Sequence, residues 1–186
     1  MRIALDVRAG ENPMPYLNKS YSPELVNAGM DFSKVVYERS KLPLREFEAA
    51  RYRTAQINGC ITCQNWRSAR DVPGYLASLG RDGALGVAAN GAAPDEQLYS
   101  AIDDGSLEGL SDREKLAVRF AEGMGADPHG LGENETLWQA LKAHFSDEEI
   151  VDLTFSVAGF IAMGRAMHVL DLDTVCPMPG AMADAS

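Results

Sequence analysis

Cys60 and Cys63 stand three residues apart, directly after Asn58-Gly59. On a helix, residues at that spacing have Cα atoms about 5 Å apart, from a rise of about 1.5 Å and a radius of about 2.3 Å, which lies inside the span a disulfide tolerates. The pair can therefore cycle between dithiol and disulfide with little backbone movement. Asn58-Gly59 favours positive φ and ends the preceding helix, so the CxxC opens a new one. Unpaired N–H groups in that first turn favour thiolate over thiol, and the thiolate is the attacking form.

Glu48 matters to this pair only if the chain turns back. In one continuous helix it would lie about 18 Å from Cys60 along the axis, too far for proton transfer. With an antiparallel turn at Asn58-Gly59, Glu48 faces Arg67, and Cys63 lies one turn below Arg67 on the same face. Glu48 is then placed to take a proton from Cys63, directly or through a water. Tyr52 and Gln56 share the Glu48 face and are candidates to line the same pocket. The plain alternatives are a Glu48 salt-bridged to Arg45, Arg51 or Arg53, and two inert core cysteines. A zinc site would need two more ligands, and Cys176 with His129, His144 or His168 forms no second paired motif. The expectation is therefore no metal and no cofactor.

The elements that must position these residues read as helices. Ser22-Pro23-Glu24 has the look of an N-cap, a first-position proline and an early acid, which predicts a helix over 23–39. Pro43 restarts the pattern, and a second helix runs to Asn58-Gly59. The next is expected to persist from the CxxC to Arg70, because Pro73-Gly74 reads as a strong break. Residues 80–91, rich in glycine and small side chains, predict a loop or packed helical fragments. Pro94-Asp95-Glu96 opens a short helix that Asp103-Asp104-Gly105 closes. Ser111-Asp112-Arg113-Glu114 and Ser146-Asp147-Glu148-Glu149 are capping boxes at the heads of two further helices. Asn134 caps another between them, and His129, after Pro128, falls in a loop. The last helix is apolar on most sides, which places it centrally in the core or in a subunit contact. Residues 1–21 read as an arm, 22–170 as one all-α domain and 171–186, with Cys176, as a tail.

The 186 residues carry 17 Lys plus Arg against 27 Asp plus Glu, a formal charge of −10, which repels phosphate backbones and anionic lipid surfaces. Nucleic acid is not an expected partner. The most apolar stretch, 153–163, is shorter than the roughly 20 residues of a bilayer crossing, so no membrane is expected either. An acid and a second base within residues 1–8 interrupt any secretory pattern, and the expected compartment is the cytoplasm, where the cysteines stay reduced. No phosphate-binding loop is present.

The stretch from Glu48 to Arg67 resembles the alkylhydroperoxidase D-like group of the carboxymuconolactone decarboxylase superfamily. That group has a Glu, eleven intervening residues, Cys-x-x-Cys, and a His four positions after the second Cys. Glu48, Asn58-Gly59, Cys60 and Cys63 match, and the helices opened by Ser22-Pro23-Glu24-Leu25, Ser111 and Ser146 look like the family's flanking helices. The resemblance covers about residues 22–170. It implies an all-α helical bundle, assembled as a homo-oligomer (dimer, trimer or hexamer). It also implies a thiol-dependent peroxidase or disulfide reductase that takes a peroxide substrate and a dithiol reductant protein. By that resemblance Cys63 is the peroxidatic thiolate, Cys60 resolves the sulfenic acid, and Glu48 assists deprotonation. Arg67 stands where the family has His and cannot shuttle protons. Either its charge lowers the Cys63 pKa, or it pairs with Glu48 and weakens that base. The other readings are a carboxymuconolactone decarboxylase-like lyase, with an idle CxxC, and a non-catalytic helical oligomer.

Overall fold

A proline at the first helical position and a basic residue in the last turn bound α2 (Pro23–Arg39), as the sequence predicts. The computed structural model describes residues 1–8, 11, 13–81 and 85–172, and among these all regular structure is helical. Ser22 makes no side-chain cap to α2; its backbone is left-handed (φ 37°), so proline alone sets the start. Ahead of it, residues 1–21 are more than a loose arm. They include α1 (Met14–Ser20), and Leu5 and Leu17 pack against Leu172 after the last helix.

Helix α3 (Leu44–Asn58) carries five charged residues yet lies at the centre of the molecule. Leu44, Phe47 and Ala50 enter the main core with Phe120, Leu141, Leu153 and Val157, while Ala49 and Tyr52 enter a second cluster with Leu98, Tyr99 and Ile102. Burial on both flanks leaves its charged residues little water, and they pair instead. Arg45 bonds Glu114, Glu46 receives Arg113 Nε at 2.8 Å, and Arg53 Nε meets Glu122 at 3.0 Å, all on α7 (Asp112–Ala126). Both capping boxes form as written: Ser111 with Glu114 at the head of α7, and Ser146 with Glu149 at the head of α10 (Asp147–Val169).

Three segments depart from the sequence reading. The helix expected from the CxxC to Arg70 divides into α4 (Ile61–Asn65) and α5 (Ser68–Ser78), with Trp66 and Arg67 extended between them. Pro73 does not end α5 but lies inside it; burial of its neighbours Val72 and Leu76 outweighs the roughly 3 kcal/mol that an interior proline costs. Pro128 opens a short α8 (Pro128–Glu133), so His129 is helical. Elsewhere α6 (Glu96–Asp103) and α9 (Glu135–His144) fall where expected, and the described part of residues 80–91 includes a 3-10 turn, Gly86–Ala89.

By length and composition alone, α10 is apolar enough to cross a bilayer. Here it packs on α2, α3 and α7. One side, with Leu153 and Val157, is core; on the other, Val151 and Phe155 remain exposed and form a groove with Phe32 and Val35 of α2. Its Gly164 is where α10 meets the end of α3. A Cβ there would lie 2.4 Å from Asn58 Nδ2, the group that donates to the Phe160 carbonyl at 2.9 Å. Gly164→Ala must therefore displace Asn58, with an expected cost of about 1–3 kcal/mol, measured as a lower urea midpoint with an unchanged slope.

Candidate functional site

The turn between α3 and α4 is built by Gly59, which adopts φ 70°, a conformation that side chains resist. The His168 ring backs onto it: a Cβ on Gly59 would meet His168 Cε1 at 3.2 Å. Cys60 follows as the N-cap of α4, its Sγ accepting from the Cys63 backbone N–H at 3.3 Å. The two sulfurs are bonded, across a Cα–Cα distance of 5.3 Å. Their surroundings differ. Cys60 is 1% exposed, whereas Cys63 is only partly buried and lines a cavity of about 110 Å³.

Glu48 is fully buried, and its oxygens are already taken. Arg51 grips it in bidentate fashion, Nε donating to Oε2 at 2.8 Å and Nη2 to Oε1 at 2.9 Å. Ser68 Oγ donates to Oε2 at 2.6 Å and Tyr99 Oη to Oε1 at 2.9 Å, with the Ser68 amide at 3.4 Å. The far side of the same guanidinium reaches α4 and the residue that follows it. Nη1 donates to the Cys63 carbonyl at 2.7 Å and Nη2 to the Trp66 carbonyl at 2.8 Å. Burial works to lower the Arg51 pKa, but the Glu48 charge and hydrogen bonds more than offset it, leaving the group well above its ordinary value. A fixed cation thus sits between Glu48 and the backbone of Cys63, and both Arg51 and Cys63 line the cavity.

Arg67 does not take the Glu48 carboxylate. Because the chain is extended at Trp66 and Arg67, the residue that faces Glu48 is Ser68. Arg67 turns outward, its Cζ 3.7 Å from the Tyr99 ring centroid and 5.3 Å from that of Tyr52. Its Nη1 donates to the carbonyl of Gln64 at 2.7 Å, and Glu96 lies 3.8 Å from its Nε. Tyr52 and Gln56 are also directed away from the cavity. Both donate to Asp103 Oδ1, at 2.8 and 2.7 Å, on the α6 side of α3. Burial, then the bond to Asp103, pushes the Tyr52 hydroxyl up to about 12; burial and Glu48 raise Tyr99 further still.

Of the residues singled out in the sequence, Cys60 and Cys63 come together as a bonded pair, with Glu48 connected to Cys63 through Arg51. Arg67, Tyr52 and Gln56 form a neighbouring polar and aromatic layer around Tyr99. Ser68, Tyr99 and the cavity-lining Tyr37 of α2 had no signal of their own. Arg51 had one, since Glu48 and Arg51 have i,i+3 spacing on a helix. Cys176 lies outside the described residues.

No family model matches the chain, and no curated protein matches it. A solved structure that resembles it is that of a protein of unknown function from Agrobacterium tumefaciens, described as a candidate antioxidant defence protein, AhpD. The two superpose with a TM-score of 0.60 at 22% identity, over 88% of this chain and 96% of that one. The likeness extends over nearly the whole of both chains and shows the fold: an all-helical, AhpD-like arrangement.

Proposed function

We propose that this protein is a thiol-dependent peroxidase, or a disulfide reductase acting through the same pair, with Cys63 as the attacking thiolate and Cys60 as the resolving thiol. The observation that carries this reading is the unequal burial of two bonded sulfurs. Cys63 borders a cavity beside a permanent cation, and Cys60 is sealed 5.3 Å away, Cα to Cα. A nucleophile must be reachable, and a resolving thiol need only reach its partner. The Agrobacterium neighbour's provisional assignment to antioxidant defence agrees with it.

In the proposed cycle the Cys63 thiolate attacks one peroxide oxygen. A sulfur–oxygen bond forms, the oxygen–oxygen bond breaks, and water or an alcohol leaves once the departing oxygen is protonated. Cys60 then displaces water from the sulfenic acid, giving the disulfide before further oxidation occurs. An external dithiol protein returns both thiols and is itself oxidised. The Arg51 charge favours the Cys63 thiolate without imidazole. Glu48, saturated by donors, acts through Arg51 by holding it in place. The exposed apolar groove between α2 and α10 supports assembly as a homo-oligomer.

Cys63→Ser is expected to reduce peroxide consumption to that of a thiol-free control in a coupled assay. Cys60→Ser should keep a single fast turnover and leave Cys63 as a sulfenic acid that dimedone traps. If both variants consume peroxide like the parent, the roles are wrong; native thiols that resist alkylation at neutral pH would favour a non-catalytic oligomer. Glu48→Gln leaves the Arg51 charge buried and unpaired, with an expected loss of about 3–5 kcal/mol in chemical denaturation.

A further inference from the structure

The cavity beside Cys63 must supply a proton to the oxygen that leaves, and the usual group is missing. Arg67, at the position where the resemblance leads one to expect an imidazole, points outward onto Tyr99. Arg51 lines the cavity but does not give up its proton. Asn58 lines it too, with its amide committed to the Phe160 carbonyl and its oxygen accepting from Arg165 at 3.1 Å. The remaining lining residues that carry a hydroxyl are Ser33 and Tyr37, both on α2. A phenol is a far stronger acid than an aliphatic hydroxyl.

Tyr37 is rigidly placed. Its ring lies between those of Phe47, Trp66, Tyr75 and Phe160, at centroid distances of 5.7 to 6.0 Å. Gly86 presses on its backbone so closely that a Cβ there would be 2.3 Å from the Tyr37 carbonyl oxygen. Among the described residues no protein acceptor takes its hydroxyl. A ring so constrained, on the cavity wall and with Arg51 close enough to act on its hydroxyl, needs no ordering by substrate.

From this geometry we propose that Tyr37 is a catalytic residue of the peroxide reaction, donating its phenolic proton to the oxygen expelled by Cys63. The inference rests on the peroxidase reading above and assigns the missing acid within it. As the sulfur–oxygen bond forms and the oxygen–oxygen bond breaks, the departing RO⁻ takes the Tyr37 proton and leaves as ROH. The phenolate, in the field of Arg51, regains a proton from water entering the cavity. Burial raises the Tyr37 pKa well above the usual phenol value, partly countered by Arg51. The proton is therefore still in place at neutral pH. The expelled hydroxide or alkoxide, whose conjugate acid has a pKa of about 16, is basic enough to take it.

Tyr37→Phe removes only this oxygen and keeps the ring in its cluster. The test compares the purified variant and parent on two oxidants that differ in leaving group, tert-butyl hydroperoxide and peracetic acid, with Cys63 alkylation by iodoacetamide as a control. Acetate, the conjugate base of an acid with pKa near 4–5, needs no proton to leave. The expected result is a loss of about 10²-fold with tert-butyl hydroperoxide, a change of less than about threefold with peracetic acid, and unaltered alkylation. Equal losses on both oxidants, with or without slower alkylation, would mean a packing effect and overturn the proposal; so would no loss on either. A parent protein inert toward both oxidants would instead overturn the peroxidase reading, a result the parent alone reveals.

Discussion

A carboxylate and a guanidinium with almost no access to water, Glu48 and Arg51, are the pair on which the arrangement of the site depends. Moving such charges out of water costs several kcal/mol per ion, and their attraction repays this only when the remaining lone pairs and N–H groups are also satisfied. Here they are. Ser68 and Tyr99 complete the carboxylate, and the carbonyls of Cys63 and Trp66 complete the guanidinium. The pair lies on α3 and its partners on α4, α5, α6 and the junction between α4 and α5, so one ion pair fixes the relative placement of four helices. Removing either member leaves the other charged and dry, so the bonding that makes the pair tolerable also makes its loss costly.

The same pair explains why α4 is short. A helix running on from the CxxC would keep the carbonyls of Cys63 and Trp66 for its own ladder. Arg51 takes both, Arg67 takes that of Gln64 and Arg70 that of Asn65 at 2.9 Å. Arginine side chains thus satisfy the last carbonyls of α4, and the chain is free to extend at Trp66 before Ser68 starts α5. The resulting one-residue shift brings Ser68 rather than Arg67 to Glu48. It also turns Arg67 onto Tyr99, so the site has a fixed buried cation in Arg51 but no imidazole following the second cysteine.

How much of this was legible in the sequence follows from the range of the interactions. Capping boxes act over three residues, and Ser111–Glu114 and Ser146–Glu149 set α7 and α10 where their spelling says. The dithiol spacing is equally local, and the bonded pair obeys it. The α4–α5 break was not legible, because its cause is an arginine twelve residues upstream donating to a backbone carbonyl. Pro73 misled for a related reason: the local penalty is real, but Val72 and Leu76 are both fully buried, and tertiary packing outweighs it. The centrality of α3 was hidden by its charges. Its charge-rich sequence looks like a solvated face until Arg113, Glu114 and Glu122, more than sixty residues away, are seen to neutralise it. The antiparallel turn that sets Glu48 beside the CxxC region was readable from Asn58-Gly59, but the occupant of Glu48 required the fold.

Burial also gives the proposed cycle a direction. With Cys60 sealed at the head of α4 and Cys63 at the cavity wall, both the oxidant and the reducing thiolate would meet the same sulfur. An incoming thiol attacking Cys63 forms a mixed disulfide there and expels Cys60 as the leaving thiolate, which remains next to the bond it has just left. Because Arg51 holds the Cys63 carbonyl and the Cα separation suits both redox states, opening and closing the bond is confined to side-chain rotation. The backbone is spared any rearrangement, and the ion pair beneath it need not be broken at any step. That separation between a moving pair of sulfurs and an immobile pair of charges is what would let a buried salt bridge serve the proposed cycle, in which the site changes covalent state at each turnover.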